Sequence, residues 1–344
     1  MTVILTILII AFLVLVHEWG HFKVARKVGV PVHEFSIGFG KKIFGFRKDG
    51  VNFSLRIIPL GGYVRMAGEE KGDFDDPNGY NNCTPLQKIA VAAAGPFMNL
   101  IIAAVIFVLI YSIVGLAQPS SQPVIGDIIP GQPAEQAGLK AGDIVLQVNQ
   151  NEVTSWQNLV SNIQACSDSG ENIELLVQRN QEKLDISLTP VYSSEANKYI
   201  IGVYNSVEFK SLGVWEALSM GFKQAYRLSV LILSGLGMLF TGNISSGDIA
   251  GPVGIANMVG TAAQGGWSYL LSFAAFLSIN LAWLNLFPIP ALNDSKILFA
   301  IIEAVRGKKI DPEKEGTIHL LGFMFLIGLI VFATYNDILR LIRG

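Results

Sequence analysis

Cysteine is nearly absent. Cys83 and Cys166 are the only two in 344 residues, so no disulfide framework can be read from the chain. Charge is scarce as well: Asp, Glu, Lys and Arg make up 15% of the residues, against about a quarter in ordinary soluble domains. With 25 basic residues set against 27 acidic ones, no basic excess points to a nucleic-acid partner. What is abundant is apolar surface. A hydrophobic share of 51% and a mean hydropathy of +0.46 place the chain among multi-span α-helical membrane proteins, with the lipid bilayer as its surroundings.

Four stretches approach spanning length: Val3 to Phe22, Ile89 to Leu116, Tyr269 to Phe287 and Ile318 to Tyr335. The first has no positive leading region and no small-residue cleavage site, so it is expected to stay attached. Leu218 to Phe240 is apolar but carries Lys223, Gln224 and Arg227, a pattern expected of a helix lying at the outer interface or entering it obliquely. Basic residues follow the first span (Lys23, Arg26, Lys27, Lys41, Lys42, Arg47, Lys48) and precede the fourth (Arg306, Lys308, Lys309, Lys314), which assigns both loops to the cytoplasm. Arg340 and Arg343 run against this scheme without outweighing it. The segment from about Ala117 to Asn205 is then outside, and the two cysteines fall on opposite sides of the membrane.

His17, Glu18 and His21 form His-Glu-Trp-Gly-His at the end of the first apolar run. On a helix, residues four apart share a face, so the two imidazoles can bind one Zn²⁺ while Glu18 stands beside the reacting water as a general base. At about 1.5 Å per residue, His17 lies roughly 24 Å from the start of the chain, near one edge of a hydrocarbon core about 30 Å thick. Ionisable groups at that depth are costly unless they have partners, which favours function over an incidental helix end.

Other segments add to this. Val124 to Ile129 and Ile144 to Val148 read as strands around Pro130 to Asp143, Trp156 to Ala165 as a helix, and Ile173 to Gln178 and Leu184 to Leu188 as further strands. Through Pro133-Ala134, Ala137-Gly138-Leu139 and Gly142-Asp143-Ile144 this region resembles a circularly permuted bacterial PDZ domain. Such a domain holds an extended peptide at a sheet edge; a spacer or size filter is the other reading. Ser36 to Gly40 and Val51 to Ile57 alternate like strands, and Pro59 to Val64 supplies a bend with close backbone approach. Near the histidines, such strands could pair with an unwound substrate. In the third span, Asn280 and Asn285 precede Pro288 and Pro290, which should break the helix.

Taken together these motifs resemble the site-2 protease family of intramembrane zinc metallopeptidases, and the resemblance runs along nearly the whole chain. It is carried by His17 to His21, Gly38-Phe39-Gly40, Pro59 to Tyr63, Ala94-Gly95-Pro96 to Asn99, the PDZ-like region, Gly251-Pro252-Val253-Gly254 and Asn285 to Leu292. It implies a multi-pass enzyme of the bacterial inner membrane that cuts transmembrane substrates such as anti-sigma factors or signal-peptide remnants. Residues 1–117 and 206–344 would form its core, with a membrane-associated β-hairpin on the cytoplasmic side, and residues 118–205 an extracytoplasmic PDZ-like α+β domain. His17 and His21 would bind zinc towards the cytoplasmic side, with Glu18, Asn280 and Asn285 catalytic and Gly38, Gly40, Gly61 and Gly62 at the substrate. At the third ligand the chain departs from the family's Asp-Gly, having Asn293-Asp294 instead. Either Asp294 serves after a one-residue adjustment, or Asn293 serves as a weak ligand, or the chain is a catalytically impaired membrane adaptor.

Overall fold

The computed structural model describes residues 2–69, 73, 76–167, 172–193, 198–241, 251–287, 296–310 and 312–343. The chain begins with α1 (Thr2–Lys27), β1 (Val32–Lys48), β2 (Val51–Met66) and α2 (Pro85–Ile113). Next come β3 (Leu116–Pro119), β4 (Ile125–Ile128), α3 (Pro133–Gln136), β5 (Ile144–Val148), β6 (Asn151–Glu152), α4 (Trp156–Ser167), β7 (Ile173–Arg179) and β8 (Glu182–Leu188). Three short strands, β9 (Val191–Ser193), β10 (Lys198–Ile200) and β11 (Val203–Asn205), lead to β12 (Val207–Lys210). Five helices follow: α5 (Val214–Thr241), α6 (Pro252–Gln264), α7 (Trp267–Leu286), α8 (Lys296–Arg306) and α9 (Pro312–Arg343). Contacts divide the chain into a discontinuous unit, Met1–Ile113 with Gly213–Gly344, and an inserted unit, Val114–Leu212.

In the discontinuous unit, four helical stretches are long and apolar enough to cross a membrane: Thr2–Lys27, Pro85–Ile113, Trp267–Leu286 and Glu315–Leu339. Each overlaps one of the expected spans, but the second stops at Ile113, short of the expected Leu116, which instead begins β3. The first helix does not stop at the histidine motif but runs on to Arg26 and Lys27, whose charges suit the carboxyl end of a helix dipole. α2 is the hub, packed against α1, α5, α7 and α8. Its approach to α1 is close at Gly20, where a side chain would run into the Ala94 backbone. α5 lies along α2 through buried small residues one turn apart, Ala217, Gly221, Ala225 and Ser229. Such spacing lets two backbones come together. Lys223 and Arg227 are on its exposed face.

β1 and β2 fold into more than a simple hairpin. Residues 34–37 take partners on two sides, Gly62 to Arg65 and Asn52 to Leu55, while Lys42 to Lys48 pair with Val51 to Arg56. Phe22, Phe35, Phe53 and Val64 form the core that seats this sheet on α1. Glu34 and Arg56 pair at 2.8 Å within it, and Ser54 donates to the same carboxylate at 2.7 Å. Burial works against the Glu34 carboxylate, but hydrogen bonds from Arg56, Ser54 and Tyr63 outweigh it and hold its pKa below the usual value.

The inserted unit has a four-stranded sheet in the order β6-β5-β7-β8, with β4–β11, β3–β12 and β9–β10 as separate pairs. The core includes Val145, Val148, Leu159, Ile163, Ile173, Leu175 and Val177. Asp143 is fully buried and accepts from Arg179 Nε and the Lys140 backbone N–H, at 2.7 and 2.8 Å. The Arg179 guanidinium also donates to the Gly138 carbonyl, so one side chain ties the turn at Gly138 to Asp143. Burial pushes the Asp143 pKa up, but the Arg179 and Lys140 hydrogen bonds prevail and it lies below the ordinary range.

Candidate metal centre

His17, Glu18 and His21 are each buried to within 5% of full enclosure. Their helix carries the two imidazoles on one face with Nε2 atoms 3.2 Å apart and ring planes 79° to each other. Two tetrahedral ligands at about 2.0–2.1 Å from zinc stand about 3.4 Å apart, so the donor set and its spacing fit the ion. Each ring is held from behind by α2. The Val91 carbonyl lies 2.8 Å from Nδ1 of His21, and the Asn99 amide nitrogen lies 3.2 Å from Nδ1 of His17. Metal-binding histidines characteristically have such partners on the second ring nitrogen.

Between these two contacts, one turn from each, sits Gly95. A methyl group there would overlap Nε2 of both imidazoles. The next residue, Pro96, lies inside the helix and removes one intrahelical donor. Val91, Gly95 and Asn99 thus form a strip at four-residue spacing that matches the four-residue spacing of the histidines.

α7 closes another side. Asn285 brings Nδ2 to 3.5 Å from Nε2 of His17, and Ser278 Oγ donates to the Asn99 backbone carbonyl at 2.8 Å. Asn280, more than one turn earlier on α7, makes no hydrogen bond to this group among the described residues. Of the four glycines expected at the substrate, Gly62 comes closest to the chemistry: a side chain there would lie 3.2 Å from Cγ of Glu18 and 2.8 Å from the Ser36 carbonyl. Gly38, Gly40 and Gly61 shape the strand bends instead, with contacts to Ile58, Ile57 and Phe39. Asn293 and Asp294 lie outside the described residues. Among the described residues, no group of three or more His, Cys, Asp or Glu side chains is placed to hold a metal ion.

A cavity of about 210 Å³ opens on Glu18 and His21 and is lined further by Tyr63, Glu69, Tyr80 and Lys296. Lys296 pairs with Glu69 at 2.5 Å and lies 5.0 Å from the Tyr80 ring centre. Burial opposes the Lys296 charge, but Glu69 and Tyr80 hold its pKa above the usual value. Next to it, Lys88 and Glu303 form a buried ion pair at 2.7 Å, and Glu303 also accepts from the Ile310 backbone N–H at 2.9 Å. These pairs tie α8 to the segment after β2 and to α2. None was evident in the sequence, because the partners are 227 and 215 residues apart.

The model of peptidase family M50 matches residues 5–329. A putative zinc metalloprotease from Clostridium perfringens is 35% identical over 343 residues, covering 98% of this chain and 99% of the relative. Another from Clostridium acetobutylicum is 34% identical over 336 residues, with 98% and 97% covered. The regulator of sigma-W protease RasP of Bacillus subtilis is 33% identical over 420 residues, with 99% of both chains covered.

Proposed function

The chain belongs to peptidase family M50 and is a zinc metalloprotease of the site-2 kind; from that premise we propose which residues do the work. His17 and His21 hold the zinc through nitrogen, with an oxygen of the Asn293-Asp294 pair as the third ligand. The observation that carries this reading is the convergence of two Nε2 atoms, 3.2 Å apart, on an apolar helix of spanning length, with Glu18 and His21 lining one cavity. When bound, zinc acts as a Lewis acid that makes water nucleophilic near neutral pH and polarises the scissile carbonyl. Glu18 takes the proton of the attacking water and returns it to the leaving amine. Asn285, beside His17, donates to the substrate carbonyl oxygen as negative charge develops there. Asn280 orients the substrate backbone from the same helix. The β2 backbone around Gly62 packs on Glu18, so a locally unwound substrate added as a strand near Gly61 and Gly62 would present its peptide bond to the carboxylate.

The four apolar helices make this a membrane protein. We infer that the catalytic end faces the cytoplasm, on the strength of the basic residues after α1 and before α9. Exposed Ile43, Phe44, Phe46 and Ile57, set among Lys41, Lys42, Arg47 and Lys48, support a β1–β2 sheet resting in the cytoplasmic face of the bilayer. On the outer side, the inserted unit acts as a PDZ-like module. A groove of about 430 Å³ between Trp156, Leu159 and Ile163 of α4 and residues 199–204 suits an extended peptide. Substrates are membrane-spanning segments of bacterial inner-membrane proteins, of the anti-sigma-factor or signal-remnant kind.

Incubating the purified chain with a membrane-segment peptide, alongside Glu18→Gln and Asn293→Asp, tests the assignment. Cleavage by the unaltered chain and cleavage weakened by about 10²–10⁴-fold in Glu18→Gln are expected. Equal cleavage by both would overturn it.

A further inference from the structure

Away from the histidines, a groove of about 620 Å³ opens between α2, α5, α6 and α7. Phe107 of α2 and Phe276 of α7, which line it, stand about 12–14 Å along their helices from Asn99 and Asn285. Between these rings and the metal centre α2 and α7 close on each other. Ala103, Ala104, Ser278 and Ile279 are buried there, and Ser278 Oγ donates to the Asn99 carbonyl. No residue of the metal centre lines the groove, so the hydrolytic chemistry makes no use of it.

The lining has three kinds of group. Phe107, Phe273 and Phe276 make one stretch aromatic, while Gln224 and Asn257 contribute side-chain amides that hydrogen-bond to nothing among the described residues. Amides facing hydrocarbon are costly without a partner. Tyr111 and Tyr269 line it close to the ends of α2 and α7, the depth at which such rings mark a membrane interface. Three residues on from Gln224, Arg227 is near enough for its charge to act on the Tyr111 hydroxyl. Lys223 is one turn before Arg227; both are exposed, and neither has an ion-pair partner among the described residues. Size narrows the occupant further. A helix is about 10–12 Å across with its side chains, so the groove holds little more than one turn of it.

We propose that the groove is a binding site for one anionic phospholipid of the surrounding bilayer. An acyl chain lies along the three phenylalanines, and the Gln224 and Asn257 amides donate to the ester carbonyls. The phosphate sits at Arg227, with Lys223 beside it. One amphipathic molecule thus meets the apolar, amide and cationic groups together, which neither water nor a substrate helix does. The inference rests on the helices being embedded in a membrane and not on the zinc ligands.

The test releases the full chain from nanodiscs of phosphatidylglycerol mixed with phosphatidylcholine into a mass spectrometer and counts the lipids retained. One phosphatidylglycerol per chain is expected, in preference to phosphatidylcholine. Lys223→Gln and Arg227→Gln should each lower that preference about fivefold. A phosphatidylglycerol with a photoactivatable acyl chain should label residues 107–111 and 257–276, and Ala262→Trp, which fills the groove, should remove that labelling. Should Ala262→Trp fail to fold, the lipid count and the labelled peptides of the unaltered chain decide. Equal retention of the two lipids, undiminished labelling in Ala262→Trp or labelling confined to the exposed face of α9 would overturn the proposal. So would displacement of the label by a membrane-segment peptide in Glu18→Gln, which would give the groove to the substrate.

Discussion

The two units have opposite insides. Among the described residues, the inserted unit buries Val145, Leu159, Ile173 and Val177 and encloses almost no polar groups beyond Ser120 and Asp143. The discontinuous unit encloses His17, Glu18, His21, Lys88, Asn99, Ser278, Glu303 and Asp337 while exposing Phe323, Phe325, Val331 and Phe332 along α9. In water the second pattern would be unstable. In a bilayer it is the economical one, since lipid accepts the apolar face and every buried polar group must find a partner within the protein. Asp337 illustrates this: it sits inside α9 yet accepts from the backbone N–H groups of Gly251 and Gly254 at the start of α6, at 3.2 and 2.7 Å. That contact gives Gly251 to Gly254 a structural role, the capping of a helix by a carboxylate from another helix.

The contrast can be broken most sharply at the catalytic end. On the roles proposed above, Glu18→Gln loses the proton acceptor and keeps the zinc ligands, so cleavage of a membrane-segment peptide should fall by about 10²–10⁴-fold with zinc content unchanged. Lys88→Met leaves Glu303 buried without its counter-charge, which should destabilise the discontinuous unit by about 3–5 kcal/mol. Thermal unfolding followed by hydrogen exchange would show that loss in α2 and α8 and not in β5 or β7. Gly95→Ala pushes a methyl group against both imidazoles, so zinc should bind more weakly even where the fold survives, as chelator competition would show.

The smallest effect belongs to the inserted unit. The folded pKa of Asp143 is depressed, so its contribution to stability is complete above the unfolded value of about 3.9 and is lost as pH falls through the lower folded value. Asp143→Asn should therefore lower protection of the β5 and β7 amides at pH 6 while flattening their loss of protection on acidification. An unchanged acid response would show that another group carries it.

How much of this was legible in the sequence follows the range of each interaction. The spans could be found because about 20 apolar residues in succession are a local signal, and the histidine pair because i and i+4 share a helix face. The motif of Ala94 to Asn99 could be noticed, but not what it touches: Gly95 and Asn99 act on side chains 74 to 82 residues earlier, at Nε2 and Nδ1 of the histidines. The α5 stripe of Ala217, Gly221, Ala225 and Ser229 was hidden behind the more conspicuous Lys223 and Arg227. Nor could alternation alone reveal that residues 34–37 would be paired on both sides, since strand partners depend on where the chain returns.

The claim on which the rest depends is that His17 and His21 bind zinc together. Metal analysis of the nanodisc-embedded chain by mass spectrometry measures this directly. One zinc per chain is predicted for the unaltered protein and for Glu18→Gln, and essentially none for His17→Ala combined with His21→Ala. Full zinc occupancy in the doubly substituted chain would contradict it.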